Sequence, residues 1–228
     1  MYQEYLKTMT SRLYFLSVKV NMCEQGFDLP GTLEKIRVLL SDYSSSTKCI
    51  HKFKVTGESK IVAVFEVSNV VGLERTVSGL ARLGNIDVTC KPIRPYENFA
   101  NMLKVDEELT KPSTNCIKDD KDCQMFWLDF TVEYPGKNTD ELLATWHREA
   151  TFALTARKGG VHIELFKNVG ERKVQAFIVM EPDDLDELSF NLPVVKENGN
   201  GVNISVHAIQ SLDDYCSSMS SQASAKPK

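Results

Sequence analysis

The sequence predicts an α+β protein in which one order of strands and helices occurs twice. Residues 13–22 and 125–134 are long runs of alternating apolar and polar residues, as expected for half-buried strands. A segment with helical periodicity follows each run, and a hairpin follows each of those segments. The spacing supports a repeat, because 112 positions separate Tyr14 from Phe126 and 113 separate Gly57 from Gly170.

The helix after each first strand is predicted from its start signals and its apolar spacing. In the first copy, Asp28 can cap the helix and Pro30 fits its first turn, and leucines and isoleucine then recur at helical spacing. In the second copy, residues 138–141 (Asn-Thr-Asp-Glu) form a capping box, and Gly159 and Gly160 end the helix. Both segments therefore predict amphipathic helices that cover one face of a sheet.

The remaining elements also come in pairs. Strands at 51–55 and 60–67 are joined by a turn, and strands at 162–168 and 173–180 are joined in the same way. A second helix begins at Asn69 in one copy and at Pro182 in the other. A last strand follows in each copy, at 86–93 and at 202–209.

This order, β-α-β-β-α-β, is that of the ferredoxin-like unit. The prediction is therefore two tandem ferredoxin-like repeats, at residues 1–99 and 123–216. The polar segment 100–122 is predicted to be a linker with one helical turn around residues 102–109. The serine-rich segment 217–228 is predicted to be a disordered tail.

Composition excludes several classes of function. The formal net charge of −4 and the lack of a basic cluster argue against nucleic-acid binding. No apolar stretch is long enough to span a membrane, and the N-terminus lacks a secretory apolar region, which predicts a cytoplasmic protein without a membrane partner. The six cysteines are then expected to be reduced thiols. No CxxC pair or Cys/His cluster occurs, so no metal site is predicted.

The second copy resembles muconolactone isomerase, a member of the dimeric α+β barrel superfamily. The resemblance rests on residues 177–188 (FIVMEPDDLDEL) and 191–195 (NLPVV), followed by the closing strand. It implies that two ferredoxin-like units pack sheet to sheet as a barrel. In this chain the tandem repeat would supply both halves as a pseudo-dimeric barrel. No catalytic residue is carried over, because no active-site motif matches.

A second resemblance gives an alternative. Residues 28–33 (Asp-Leu-Pro-Gly-Thr-Leu) resemble the turn of ACT domains, which bind amino acids and regulate enzymes. The second copy has Tyr-Pro-Gly at 134–136 and lacks this motif. A helix start explains Asp28, Pro30 and Gly31 without any ligand.

The candidate site is placed on the sheet faces turned away from the helices, where apolar and polar side chains alternate. His207 and Asp129 are predicted as a catalytic pair, with histidine as the base and aspartate as its orienting partner. The candidate ligand-binding residues are Trp127, Glu164, Gln175, Phe177 and Phe15. A hydrogen-bonded interface between the repeats explains the same composition without a ligand. The second repeat has the richer polar set and is therefore the predicted location.

These observations predict binding of a small organic molecule in or near the inter-sheet barrel. They are consistent with an isomerase or lyase type of activity that uses no cofactor. The alternative is a non-catalytic interaction module or an ACT-like regulatory module that binds a ligand. The expected state is a monomer with an internal pseudo-dimer or a homo-oligomer.

Overall fold

The computed structural model describes residues 12–22, 26–42, 45–112, 117 and 123–224. The chain divides into two compact units. The first contains the described residues up to Ile93 and those from Gln210 onward, and the second is Arg94–Ile209. Within the described part of the chain, no helix is long and apolar enough to cross a membrane.

The elements alternate in the predicted order, with three additions: two short helices and a C-terminal helix. Up to residue 102 they are β1 (Arg12–Val20), α1 (Leu29–Asp42), β2 (Thr47–Val55), β3 (Lys60–Val67), α2 (Val70–Ala81), β4 (Ile86–Pro95) and α3 (Tyr96–Met102). From residue 124 they are β5 (Gln124–Val132), α4 (Thr139–Lys158), β6 (His162–Asn168), β7 (Lys173–Met180), α5 (Pro182–Asn191), α6 (Pro193–Asn198), a 3-10 turn (Gly199–Gly201), β8 (Val202–Ser211) and α7 (Leu212–Ser224).

Each unit contains a four-stranded antiparallel sheet with the strand order of a ferredoxin-like fold. In the first unit, β1 pairs with both β3 and β4, and β2 pairs with β3, which gives the order β4-β1-β3-β2. In the second unit, β5 pairs with β7 and β8, and β6 pairs with β7, which gives β8-β5-β7-β6. The strands β3, β6 and β7 have the predicted bounds.

The apolar face of each strand packs against helices, as its alternation predicts. In the first unit, Leu16, Val18, Ile61 and Phe65 are fully buried in one core with residues of α1 and α2. In the second unit, the corresponding strand residues pack with Trp146 and other residues of α4. The period of two in the strands and the helical spacing in α1 and α4 therefore identified both cores.

The two additional helices that follow β4 and β8 were not predicted. Helix α3 contributes Tyr96 and Phe99 to the core of the second unit, although it directly follows a strand of the first sheet. Helix α7 contributes Leu212 and Cys216 to the core of the first unit. Each unit is thus completed by a helix that follows a strand of the other sheet.

These helices change the predicted boundaries. The linker predicted from residue 100 begins inside α3, and the helical turn predicted around 102–109 is a hydrogen-bonded turn in which Val105 is buried. Residues 113–116 and 118–122 of that linker lie outside the described residues. The tail predicted to be disordered from residue 217 is helical through Ser224, because α7 has an apolar face that it buries.

The predicted capping box of α4 is present and gives a first testable consequence. The Asn138 side chain accepts hydrogen bonds from the backbone N–H groups of Asp140 and Glu141, and Glu141 accepts one from the Asn138 N–H. We expect Asn138→Ala to lower the free energy of unfolding by about 1 kcal/mol. Urea unfolding followed by tryptophan fluorescence measures this, because Trp127 and Trp146, the chain's two tryptophans, lie in the second unit.

Thr139→Ala is the matched control, since Thr139 is the neighbouring exposed residue at the first helical position. It should change the free energy of unfolding by less than about 0.5 kcal/mol. Equal effects of the two substitutions would contradict the capping role of Asn138.

Candidate functional site

The second unit contains a cavity between the helix-facing side of its sheet and the helices that cover it. Its volume is about 50 Å³. The sheet contributes eight apolar side chains, and α4, α5 and α6 contribute most of the rest. The lining residues are Tyr96, Leu128, Phe130, Val132, Trp146, Glu149, Ala153, Ile163, Leu165, Val174, Ala176, Ile178, Leu185, Leu188, Ser189, Leu192 and Val194.

Glu149 is the charged member of this apolar lining. It lies on the buried face of α4, one turn from Trp146 and Ala153, and is 8% exposed. Its Oε2 accepts a hydrogen bond from the Val194 N–H at 3.0 Å. Burial raises the pKa of Glu149 to about 7, although the Val194 hydrogen bond acts in the opposite direction. A carboxyl group with this pKa can both accept and donate a proton near neutral pH.

Tyr96 lines the same cavity from α3. It is 2% exposed, and its pKa is raised well above the ordinary value by burial and then by the neighbouring charge of Glu149. Phe99, on the same helix, packs edge-on against Trp146 with ring centroids 5.3 Å apart. Helix α3 therefore provides one wall of the cavity as well as a second titratable group.

The buried cations of this unit have partners elsewhere. Arg157 of α4 forms a buried ion pair with Glu97 of α3. The Lys167 ammonium group donates hydrogen bonds to the backbone oxygens of Asn168 and Glu171 and lies over the Phe99 ring. Burial lowers the pKa of Lys167 to about 8. Neither Arg157 nor Lys167 lines the cavity.

Helices α5 and α6 form one wall of the cavity, and α6 makes more contacts that fix its position than α5 does. Helix α6 is fixed to α4 twice, by the Glu149 bond to Val194 and by Glu197, which pairs with Arg148 at 2.5 Å and accepts a hydrogen bond from the Thr145 hydroxyl. In α5, which is described over its full length, Leu185 is the single buried residue. Pro193 prevents the two helices from continuing as one. Displacement of α5 is therefore the simplest way to enlarge the cavity.

Most of the predicted site residues lie on the opposite face of the same sheet. Trp127 Nε1 donates a hydrogen bond to Gln175 Oε1 at 2.7 Å, and Gln175 Nε2 donates to Asp129 Oδ1 at 3.0 Å. His207 pairs with Trp127 across β5 and β8, and their rings stack with centroids 4.6 Å apart. Asp129 pairs with Ser205, so Asp129 and His207 occupy diagonal positions on this face.

The other predicted ligand-binding residues are Phe177 and Glu164, in the second unit, and Phe15, in the first unit. Phe177 is fully buried and lies opposite Glu164 in the β6–β7 pair. Phe15 lies in the first unit, where it pairs with Val64 on β3 and is 6% exposed. Among the described residues that line the cavity, none belongs to the predicted set. The structure thus brings Trp127, Gln175, Asp129 and His207 together on one sheet face, while the cavity lies on the other.

The ACT-like turn serves as a helix start in the first unit. Asp28 Oδ1 accepts a hydrogen bond from the Gly31 N–H at 2.9 Å, and the Thr32 hydroxyl donates to the Asp28 carbonyl oxygen. A Cβ atom at Gly31 would clash with the Asp28 carboxylate. The close approach of the Asp28 side chain therefore explains why residue 31 is a glycine, without any ligand.

The sequence contains a signal for the burial of Glu149. Trp146, Glu149, Ala150 and Ala153 share the apolar face of α4 by helical spacing, so a carboxylate on that face had to be buried. The cavity itself depends on α3, whose packing on the second unit has no local signal.

Comparisons with known proteins give structural neighbours. No protein-family model matches the chain, and no curated protein matches it. A mutant chlorite dismutase from Candidatus Nitrospira defluvii is similar with a TM-score of 0.60 and 12% identity, over 95% of this chain and 98% of that one. The same enzyme in complex with imidazole is similar with a TM-score of 0.58 and 10% identity, over 96% of this chain and 99% of that one. At this identity the likeness shows a similar fold and nothing of the activity.

Proposed function

We propose that the second unit binds a small, mainly apolar organic molecule in the cavity beside Glu149. The observation that supports this most strongly is a single buried carboxyl group in a lining that is otherwise almost entirely apolar. Binding sites for small molecules have this composition, with apolar walls and a few polar groups that orient the ligand. A carboxyl group that served only packing would be replaced at little cost by an apolar residue, because its burial is unfavourable.

The same group supports an activity that needs no cofactor. In its ionised form Glu149 would accept a proton from a bound molecule, and in its protonated form it would return the proton to another atom of that molecule. Such a transfer is the chemistry of an isomerase or lyase, and a carboxyl pKa near 7 suits it. The Tyr96 hydroxyl, which stays protonated, would donate a hydrogen bond to an oxygen of the ligand.

The opposite sheet face remains a second proposed location. There, His207 and Asp129 would act as base and orienting partner, and Trp127, Glu164, Gln175, Phe177 and Phe15 would contact the ligand. This location is supported by the hydrogen bonds that join Trp127, Gln175 and Asp129, because they hold polar side chains in fixed positions on this face. Trp127 lies on this face of the sheet, whereas Trp146 of α4 packs against the other face, so a single titration distinguishes the two locations.

The indole N–H signals of Trp146 and Trp127 in ¹H–¹⁵N spectra report on the two faces separately, and Trp127→Phe assigns them. We expect 1-propanol to shift the Trp146 signal saturably and to leave the Trp127 signal in place. Ala176→Val, which fills the cavity, should abolish the response. Ala63→Val places the same group at the equivalent buried position on β3 of the first unit and should preserve it.

A saturable shift confined to the Trp127 signal would move the site to the opposite face. A linear drift of both signals, unchanged by Ala176→Val, would contradict small-molecule binding in either place.

We also propose that the two units arose by tandem duplication. Lys54 and Lys167, 113 positions apart, make the same contacts: each ammonium group donates to two backbone oxygens of its hairpin turn and lies over an aromatic ring, of Tyr215 or Phe99. Such a detailed correspondence is expected of copies. A relative consisting of one unit as a symmetric homodimer would support duplication, whereas halves with separate single-unit relatives would contradict it.

A further inference from the structure

We infer that the cavity of the second unit selects small apolar amines, with the ammonium group placed against the Glu149 carboxylate. This inference rests on the proposed function, since it names the ligand class of the same site. It follows from the charges around the cavity, from the position of Glu149 in the cavity lining and from the volume available.

The cavity contains a negative group without a countercharge. Among the lining residues that the structure describes, none is basic. The groups that bear on the Glu149 charge are Val194 through its N–H, Glu197 of α6, and the side chains of Tyr96 and Tyr134. Of these, Glu197 is itself an anion and is already paired with Arg148. A ligand that carries a positive charge would supply the compensation that the protein does not.

Among the described residues that the elements packed against Glu149 present to the cavity, none is a competing cation, and Lys196 of α6 is exposed and outside the lining. The sheet presents apolar residues to the cavity, and α5 presents Leu185, Leu188 and Ser189. Arg157, on the next turns of α4, is held by Glu97. An ammonium group would therefore be the strongest available partner of the carboxylate, because a charge-assisted hydrogen bond in an apolar site is about twice as strong as a neutral one.

One oxygen of the Glu149 carboxyl group is hydrogen-bonded to the backbone, and the residue also lines the cavity. Oε2 accepts the Val194 N–H, which fixes the orientation of the group. Since Glu149 also lines the cavity, a ligand can reach the carboxyl group without displacing α6. An anionic ligand would meet a like charge there, and an alcohol would form a weaker hydrogen bond.

The volume limits the size of the ligand. A cavity needs roughly 10–15 Å³ to hold one water molecule. The observed volume of about 50 Å³ therefore accommodates about four non-hydrogen atoms. Propylamine has this size, and longer amines would require α5 to move.

Amine selection predicts a specific dependence on pH. The bound state pairs an ammonium ion with an ionised Glu149, so a proton must leave Glu149 when the amine binds below the pKa of about 7. The affinity for an amine should consequently fall about tenfold for each pH unit below that value. It should be constant from there to about pH 10, where the amine itself loses its proton. The affinity for an alcohol has no such requirement.

The experiment compares propylamine, 1-propanol and acetate, each of which has four non-hydrogen atoms, by the saturable shift of the Trp146 indole signal between pH 5 and pH 9. At pH 8 we expect propylamine to bind about tenfold more tightly than 1-propanol, and acetate to bind least. Glu149→Gln keeps an acceptor for the Val194 N–H and should abolish both the preference for the amine and its dependence on pH. Glu187→Gln removes a charge from the exposed side of α5 and should preserve both.

The outcomes separate the two proposals. Equal affinity for amine and alcohol, or an amine preference that survives Glu149→Gln, would overturn the inference while leaving small-molecule binding intact. If none of the three compounds shifts the Trp146 signal at any pH, the proposed function itself fails.

Discussion

Arg157→Ala should lower the free energy of unfolding of the second unit by about 3 kcal/mol. The guanidinium group lies at the end of α4, its side chain is 6% exposed, and it pairs with the Glu97 carboxylate, which is 16% exposed. Removing the arginine leaves a largely buried carboxylate without its countercharge. The pair also joins α3 to α4, so the loss weakens the wall that carries Tyr96. Urea unfolding followed by tryptophan fluorescence measures the change.

Arg148 provides the matched control on the same helix. It pairs with Glu197, but its side chain is 51% exposed, and exposed pairs contribute little. Arg148→Ala should therefore cost less than about 1 kcal/mol. Replacing both partners of the buried pair, as in Arg157→Met with Glu97→Leu, should recover most of the lost stability, because no uncompensated charge remains. An equal loss for Arg157→Ala and Arg148→Ala would contradict the role assigned to burial.

Elements that depend on interactions between residues close in sequence were predicted more accurately than elements that depend on contacts distant in sequence. Strands β6 and β7 were predicted to the residue because their alternation and the turn at Gly170 are local signals. The capping box at Asn138 is local as well, since both of its hydrogen bonds lie within one helical turn. The signals for these elements do not depend on the conformation of the rest of the chain.

Helix α3 could not be predicted in the same way. Residues 96–102 form a short helix whose stability comes from burying Tyr96 and Phe99 in a core built from residues 126–194. Helices this short are marginal without tertiary contacts. The cavity could not be predicted for a related reason: a cavity is a mismatch of volumes among many side chains, and one sequence specifies the faces of the sheet without specifying how completely each is filled.

The second large effect concerns pH. Burial raises the pKa of Glu149 in the folded protein to about 7, above its ordinary value of 4.5. Between these two values the folded protein binds more protons than the unfolded chain, so stability must fall as the pH rises. The contribution of this group is complete below about pH 4.5 and is lost as the pH passes through about 7. The difference in pKa corresponds to a loss of about 3 kcal/mol.

Glu149→Gln isolates this contribution, because glutamine keeps the size and an acceptor for the Val194 N–H but does not titrate. Urea unfolding at pH 5, 6, 7 and 8 should give a wild-type stability that falls relative to the variant, with most of the change between pH 5 and pH 7. At pH 8 the variant should be the more stable protein. Lys167, whose pKa is lowered to about 8, affects both proteins equally and cancels in the difference. Parallel curves for the two proteins would mean that water or a counterion reaches the carboxylate, and the cavity would then not be the apolar site from which its ligand class is inferred.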